Sequence, residues 1–329
     1  MPSLPDTWTL AVSAFNWTPE VIRAERTAAD IAVGIVRDGV AQTIEVEAGQ
    51  IFRGFPDPAP AEVDAVREHL SLAGGRVSIV GASLDDILPD GSRRTAAERL
   101  AFLAPQIRAA RRLGATGIRV PFGQAGGDLL RAALPLLHES GLTLFEEIQG
   151  QQTLDAPPVA ANLELLADLD DPRVRVLIDI SMLMPSLPPS YLDRLRAGGV
   201  PEQLVRRLAT EWRSPETHGA VIDLLRSGGV PPAVHTLYMN LLVRFGRSNV
   251  GAIRDLLPLT AGFHLKFWDL DDEGARVSAP IRDLGTELRR VGFAGTLCSE
   301  WGGHEWIEDE DPTDITRRHL ALARAALTA

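Results

Sequence analysis

Short apolar segments alternate with longer segments of helical periodicity along the whole chain, and this alternation constrains the fold more than any other feature. It is typical of βα units, which place their strands in a parallel sheet. Eight such units close into a barrel, so we expect an α/β protein with a single (β/α)8 domain over residues 1–329. The eight predicted strands are Trp8–Ala14, Thr43–Ala48, Arg76–Ala82, Thr116–Pro121, Thr143–Ile148, Val174–Ile180, Gly262–Trp268 and Gly295–Ser299.

The segments between the strands carry helix start and stop signals. Thr95 and Glu98 have the spacing of a capping box at the start of the predicted helix Thr95–Leu113, which ends before Gly114. Glycines also end the helical segments in 113–117, 139–143 and 291–295, and each leads directly into a strand.

The interval between the sixth and seventh strands is too long for one crossover helix, and we predict a helical insertion over residues 182–260. Gly-Gly and Pro-Pro pairs separate its helical segments. Active-face loops often carry function, so we interpret it as a lid or a partner surface, the alternative being an enlargement with no catalytic role. The predicted helices are Tyr191–Ala197, Pro201–Glu211, Glu216–Leu225 and Ala233–Arg244.

Composition excludes several classes of function. A net charge of -11 argues against a nucleic-acid-binding surface, which needs clustered Lys and Arg. No apolar run approaches the roughly 20 residues of a membrane span, and the N-terminus lacks a basic leader region, so we expect a cytoplasmic protein without membrane contact. The single cysteine, Cys298, excludes an intramolecular disulfide and a thiolate-rich zinc site.

Four strands end in ionisable side chains. The segments are Leu-Phe-Glu-Glu-Ile-Gln (144–149), Val-Leu-Ile-Asp-Ile-Ser (176–181), Gly-Phe-His-Leu-Lys-Phe-Trp-Asp (262–269) and Thr-Leu-Cys-Ser-Glu-Trp-Gly-Gly (296–303). The carboxyl ends of barrel strands meet at the active face, where several like charges together need a cation. We therefore predict a site for one divalent metal, the alternative being a structural polar cluster. Oxygen and imidazole ligands suit Mn²⁺, our preferred ion, and also Mg²⁺, Co²⁺ or Zn²⁺.

The ligands predicted on these strands are Asp179, His264, Glu300 and one of the adjacent residues Glu146 and Glu147. Neighbouring side chains on a strand point to opposite faces, so only one of the two glutamates can face the site. Strand parity alone leaves this choice open.

Further candidates lie close to these ligands. Lys266 shares the face of His264 and is an electrophile or the ion-pair partner of a ligand, and Gln149 shares the face of the glutamate at 147. Trp268 and Trp301 either stack on a sugar or pack under a loop.

The remaining histidines divide into two groups. His235 and His304 lie where either side chain can reach the site, although a surface position is the alternative for both. The others fall in helical segments, where we expect solvated or capping roles: His69, His138, His218 and His319. No glycine-rich nucleotide loop follows a strand, so the metal is the only cofactor expected.

With these residues in view, the chain resembles the sugar phosphate isomerase/epimerase group of xylose-isomerase-like barrels, and within it the α subunit of C-glycoside deglycosidases. The resemblance covers nearly the whole length, and the His-x-Lys-Phe and Ser-Glu segments are its most specific parts. It implies Glu147 as the ligand, with Glu146 outward or beside it. The matching segments are Glu-Ile-Gln (147–149), Ile-Asp-Ile-Ser (178–181), His-Leu-Lys-Phe-Trp (264–268) and Ser-Glu-Trp-Gly-Gly (299–303).

One residue departs from the family pattern, in which a histidine occupies the position of Gln149. Because glutamine cannot accept a proton, either another group such as His304 or a ligand glutamate is the general base, or the substrate differs from that of typical members.

The resemblance implies proton removal next to a carbonyl with a metal stabilising the developing charge. Our first hypothesis is a lyase, a deglycosidase that cleaves C- or O-glycosides of 3-keto sugars together with a small β-rich partner subunit. The catalytic residues expected are Glu147, Glu300, Lys266 and His304. One alternative is a ketose epimerase or aldose–ketose isomerase, which would have a histidine shortly after Asp179. Another is a non-catalytic sugar-binding or scaffold subunit that keeps the ligands only for stability.

Overall fold

Eight parallel strands form a closed barrel in the computed structural model, which describes residues 3–329. The first and last strands pair from Trp8 with Gly295 to Val12 with Ser299, and this pairing closes the ring. The predicted xylose-isomerase-like (β/α)8 fold class is confirmed. The strands are β1 (Trp8–Ser13), β2 (Thr43–Glu47), β3 (Arg76–Gly81), β4 (Gly117–Pro121), β5 (Thr143–Ile148), β6 (Val174–Asp179), β7 (Thr260–Phe267) and β8 (Gly295–Trp301).

The last two strands differ from their predicted bounds by two residues at one end. β7 begins at Thr260, and β8 continues to Trp301 because β7 and β8 remain paired as far as Phe267 and Trp301. An aromatic residue such as Trp301 is equally compatible with a strand and with the loop that follows it. The residue types alone therefore did not locate the end of β8.

The helices surround the strands. They are α1 (Thr18–Ile22), α2 (Ala28–Arg37), α3 (Ala48–Ile51), α4 (Pro60–Leu72), α5 (Ala96–Leu113), α6 (Gly126–Ser140), α7 (Pro157–Leu169), α8 (Pro189–Ala197), α9 (Glu202–Thr210), α10 (Pro215–Arg226), α11 (His235–Val243), α12 (Ser278–Arg290) and α13 (Pro312–Thr328). Short 3-10 helices cover Ala14–Trp17, Ile180–Leu183, Pro232–Val234, Val250–Leu259, Glu273–Ala275 and Gly303–Glu305.

Helix α5 shows how local sequence sets these boundaries. The predicted capping box is present, because the Thr95 N–H donates to Glu98 Oε2 at 2.8 Å and the Glu98 N–H donates to Thr95 Oγ1 at 3.3 Å. The helix ends at Gly114, whose φ of 87° lies in the left-handed region that glycine adopts without strain.

A small apolar layer fills the interior of the barrel below the strand ends. Ile79, Phe145 and Leu177 form a cluster separate from the large core between the strands and the helices. The Phe145 ring occupies space beside Gly117 that a side chain at that position would take. Water is therefore excluded beneath the residues at the strand ends.

Helices α8 to α11 lie between β6 and β7, within the segment predicted as an insertion. Each overlaps a predicted helix and differs from it by no more than two residues at either end. They share a second hydrophobic core, which also includes Trp268 after β7 and Trp306 after β8. The lid or partner-surface role remains a prediction.

Within residues 3–329, none of the helices combines the length and apolar character that crossing a membrane would require.

Candidate metal centre

Four buried side chains converge at the carboxyl ends of neighbouring strands. They are Glu147 on β5, Asp179 at the end of β6, His264 on β7 and Glu300 on β8, and each offers a ligand atom within 4.8 Å of the others. The register explains the convergence, because Asp179 pairs with His264, and Glu300 lies opposite Lys266 on the same strand face. All four predicted ligand positions therefore share one cluster.

The structure places Glu147, and not Glu146, in this cluster. Glu146 is fully buried on the other face of β5, where its carboxylate accepts a hydrogen bond from Asn162 Nδ2 on α7. Burial raises the pKa of Glu146, although the Asn162 hydrogen bond opposes the shift. Glu146 is therefore part of the packing between the barrel and its helices.

The His264 ring lies between two groups of carboxylates. Its Nδ1 is 2.8 Å from Glu147 Oε1 and 3.1 Å from Glu300 Oε2, whereas its Nε2 is 3.0 Å from Glu45 Oε2. Burial alone would lower the pKa of His264, but the charges of Glu300, Glu147 and Glu45 raise it well above its usual value.

Two further basic side chains contact the ligand carboxylates. Lys266 Nζ lies 2.9 Å from Glu300 Oε2, and Arg119 on β4 lies 2.5 Å from Glu147 Oε2 and also pairs with Glu47. Burial would raise the pKa of Glu147, but the charges of Arg119 and His264 lower it to about 2. Burial would likewise raise the pKa of Glu300, and nearby positive charges hold it well below its usual value.

Asp179 differs from Glu147 and Glu300 because its pKa is raised, and one of its carboxylate oxygens lacks a hydrogen bond within the described residues. Its Oδ1 accepts the Ser181 N–H at 2.7 Å, whereas its buried Oδ2 has no hydrogen-bond partner among residues 3–329. Burial raises the pKa of Asp179 to about 6, although the charge of Lys266 opposes the shift. A bare buried carboxylate oxygen of this kind is costly unless it is protonated or binds a cation.

These residues fit a divalent cation. Besides Asp179 Oδ2, the buried His264 Nδ1 also lacks a well-aligned hydrogen bond to any described residue, and both atoms belong to residues of the cluster. Three carboxylates and one imidazole are a ligand set that suits Mn²⁺, Mg²⁺, Co²⁺ or Zn²⁺. The buried acidic and histidine cluster could therefore hold a metal ion.

The residues expected to contact substrate differ in how far they are buried. Gln149 is half-buried, and its backbone N–H donates to Gln152 Oε1 at 2.8 Å. Trp301 is buried and donates from Nε1 to the Trp268 carbonyl at 2.7 Å, and Trp268 stacks on Trp306 with ring centroids 5.5 Å apart. Both tryptophans have packing partners within the protein, and their roles toward substrate remain predictions.

His304 lies beside the cluster in a largely apolar setting. Its ring centroid is 4.9 Å from that of Phe15 and 5.5 Å from that of Trp301, and its buried Nε2 has no hydrogen-bond partner in the described part of the chain. Burial and the charge of Lys266 lower the pKa of His304 to about 4. His235, the other histidine placed within reach of the site by the sequence, is exposed at the start of α11.

The expectation that His319 is solvated or caps a helix is wrong. His319 is fully buried on the inner face of α13, where its Nδ1 lies 2.7 Å from Ser299 Oγ and its ring stacks on Phe267 at 3.8 Å. Helix α13 packs its inner face on β8, and this tertiary contact overrides the polar character of the side chain. Burial lowers the pKa of His319 to about 3.

Three residues around the cluster were not anticipated from the sequence, namely Glu45, Glu47 and Arg119. The position of Cys298 beside Glu45 was not anticipated either. A signal was present in Glu-Val-Glu at 45–47, because residues two apart on a strand point to the same face. The Glu47 carboxylate lies against Gly81, where an added Cβ would force that carboxylate to move.

No protein-family model matches the chain. A C-glycoside deglycosidase alpha subunit of Arthrobacter globiformis is 28% identical over 97% of this chain and 92% of its own length. A 3'-dehydrocarminate deglycosidase alpha subunit of a Microbacterium species is 26% identical over 96% of this chain and 94% of its own length. The resemblance predicted from the sequence is confirmed.

Solved structures of other proteins have the same fold as this chain. A D-psicose 3-epimerase crystallised with D-fructose has a TM-score of 0.58 at 15% identity, covering 97% of this chain and 99% of its own. A 3-keto-D-glucoside 4-epimerase from E. coli has a TM-score of 0.54 at 14% identity, covering 96% and 98%. At these identities the likeness concerns the fold alone.

Proposed function

We propose that this chain is a divalent-metal-dependent, sugar-active enzyme that removes a proton next to a carbonyl, and that it cleaves C- or O-glycosides of 3-keto sugars. The observation that carries the proposal is the convergence of Glu147, Asp179, His264 and Glu300 at the barrel mouth. Similarity over 96–97% of the chain to two proteins named deglycosidase alpha subunits supports the reaction class.

In this proposal the four converging side chains hold the metal, and Mn²⁺ is the preferred ion. A bound divalent cation supplies Lewis acidity that stabilises negative charge on a substrate oxygen. Asp179 Oδ2 and His264 Nδ1 support the assignment because both are buried and neither has a well-aligned hydrogen-bond partner within residues 3–329. No other cofactor is needed for the reaction.

Lys266 is proposed to orient the site and act as an electrophile. Its ammonium contacts Glu300 Oε2 at 2.9 Å and lies 5.0 Å from the Phe15 ring and 5.4 Å from the Trp268 ring. The charge keeps Glu300 ionised, and burial among rings strengthens the electric field that Lys266 exerts on a nearby substrate oxygen.

The reaction starts when a base takes the proton from C2 of the 3-keto sugar. The electron pair left at C2 then forms a double bond to C1, and the aglycone leaves C1 with the bonding pair and acquires a proton. Gln149 cannot be the base. We propose His304 for this role because its Nε2 has no hydrogen-bond partner among the described residues and its lowered pKa keeps the ring neutral. A ligand glutamate is the alternative.

A small β-rich partner subunit completes the proposal. The curated relatives are named alpha subunits. Helices α8 to α11, with their own core beside the barrel mouth, are the surface proposed to act as a lid or to contact that partner.

The test is incubation of the Mn²⁺-loaded protein with a 3-keto glycoside in deuterium oxide and, separately, with free ketoses. Released aglycone, or deuterium at C2 of recovered glycoside, supports proton removal from a glycoside. Sugar interconversion without aglycone release would instead favour the ketose epimerase or aldose–ketose isomerase. Met182 follows Asp179 closely, and no histidine is nearby, which argues against that alternative.

A further inference from the structure

We propose that Glu45 is a positioning residue that holds the His264 ring with its Nδ1 facing the carboxylate cluster. The inference rests on the proposed metal function and adds a residue that neither the motifs nor the similar proteins assign. Glu45 lies on β2, which pairs with β1 and β3, so it reaches His264 on β7 from a distant part of the barrel wall.

The contact between the two side chains is direct and shielded from water. Glu45 Oε2 lies 3.0 Å from His264 Nε2, and Glu45 is 4% exposed while His264 is fully buried. Because the carboxylate can only accept, it holds a proton on Nε2. When a cation displaces the proton of Nδ1, the lone pair of the ring resides on that nitrogen, which faces Glu147 and Glu300.

Among the hydrogen bonds and ion pairs of the described residues, Glu45 is the only partner of His264 Nε2. Without Glu45, the proton can occupy Nδ1, which removes the lone pair that a cation needs. Metal-binding histidines generally donate their second nitrogen to such an acceptor, and loss of the acceptor typically weakens metal binding by roughly 10–100-fold.

Cys298 adds a further constraint around the same carboxylate. Cys298 and Glu45 lie with His264 in one buried group whose candidate ligand atoms are within 4.8 Å of one another. Cys298 is fully buried and Glu45 is nearly so, and this side of the His264 ring is therefore shielded from solvent.

The experiment measures Mn²⁺ affinity by the electron paramagnetic resonance signal of free Mn²⁺, using the full chain stripped with chelator. We expect Glu45→Gln to raise the Kd by roughly 10–100-fold and to change the visible absorption of the Co²⁺-loaded protein. Glu45→Asp, which shortens the side chain by one carbon, should restore the affinity only in part. Glu146→Gln is the matched control, because it removes a buried carboxylate outside the cluster, and its Kd should equal that of the wild type.

The outcomes separate the inference from the function on which it rests. A wild-type protein that binds no Mn²⁺ contradicts the proposed metal function itself. Wild-type Kd and Co²⁺ absorption in Glu45→Gln overturn the positioning role alone. Equal weakening in Glu45→Gln and Glu146→Gln would also overturn it, because it would mean that any buried charge loss disturbs the site. Circular dichroism of each metal-free variant checks that the barrel is folded.

Discussion

Two adjacent glutamates on one strand have opposite electrostatic environments. Burial raises the pKa of Glu146, which faces Asn162 and the helices, whereas Arg119 and His264 outweigh burial and lower the pKa of Glu147 to about 2. A shift of one position along β5 thus separates a packing residue from a member of the cluster.

Substitution of these two residues tests that separation. Glu147→Gln should weaken metal binding by more than the roughly 10–100-fold typical of a residue beside a ligand and abolish turnover, while leaving the barrel folded. Glu146→Gln should keep both properties. Kd for Mn²⁺ and aglycone release from a 3-keto glycoside are the measurements, and retained metal binding in Glu147→Gln would contradict its proposed role.

His319 makes folding stability depend on pH. The folded protein holds its pKa at about 3, below the ordinary value of 6.5, because burial disfavours the charged ring. Between these values the unfolded chain binds a proton that the folded chain does not. This residue therefore destabilises the protein progressively as pH falls below 6.5, by about 1.4 kcal/mol per pH unit, and has no such effect above 6.5.

We expect His319→Gln to remove this contribution. The measurement is the free energy of unfolding in urea for both proteins between pH 7.5 and pH 5. Below pH 6.5 the wild type should lose stability more steeply than the variant, by a slope equivalent to about one bound proton. Parallel curves would show that His319 does not titrate as its burial indicates.

Members of the site that belong to recognisable sequence segments could be predicted from the sequence. Members that are identified only by their contacts with other strands of the barrel could not. Asp179 ends β6, Glu300 lies one residue before the end of β8, and His264 belongs to the His-Leu-Lys-Phe segment of β7. Glu45 and Arg119 belong to none of these segments, and their partners come from distant parts of the sequence. Only closure of the barrel reveals such pairs.

At the scale of elements, the strand order and most boundaries followed from local pattern, because glycine stops and capping residues act over a few positions. The position of α13 did not, since the inner face of that helix contains a histidine that local pattern assigns to solvent. The fit of α8 to α11 onto the barrel also depends on the two tryptophans that follow β7 and β8.

Trp268 is expected to tie those helices to the barrel. Trp268→Ala removes the stack on Trp306 and the contact with Phe245, and should cost about 3–5 kcal/mol while exposing residues 182–259 to trypsin. Trp8→Ala is the matched control, because Trp8 is also a buried tryptophan at a strand end but lies outside this core. Mass spectrometry of the first tryptic fragments identifies the cleaved segments. Equal cleavage patterns in Trp268→Ala and Trp8→Ala would argue against a specific role of Trp268 in holding these helices on the barrel.

At the scale of the whole molecule, a cation at the cluster should stabilise the folded chain, because the unfolded chain cannot bring the four ligands together. Saturating the metal-free protein with Mn²⁺ at 100 times its Kd should add about 2.7 kcal/mol and raise Tm by several degrees. Metal analysis should find one ion per chain. Asp179→Asn should lose the rise in Tm, and an unchanged Tm in the wild type would count against the metal site.

The β1–β8 pairing gives the cluster a particular place in the assembly of the molecule. Its members come from strands far apart in the chain, and Glu45 must meet His264 through the interior of the barrel. Contacts of such long sequence separation form late, because the loops that they close are entropically expensive. A growing chain therefore lacks the complete cluster until β8, which contains Glu300, has been made and has paired with its neighbours.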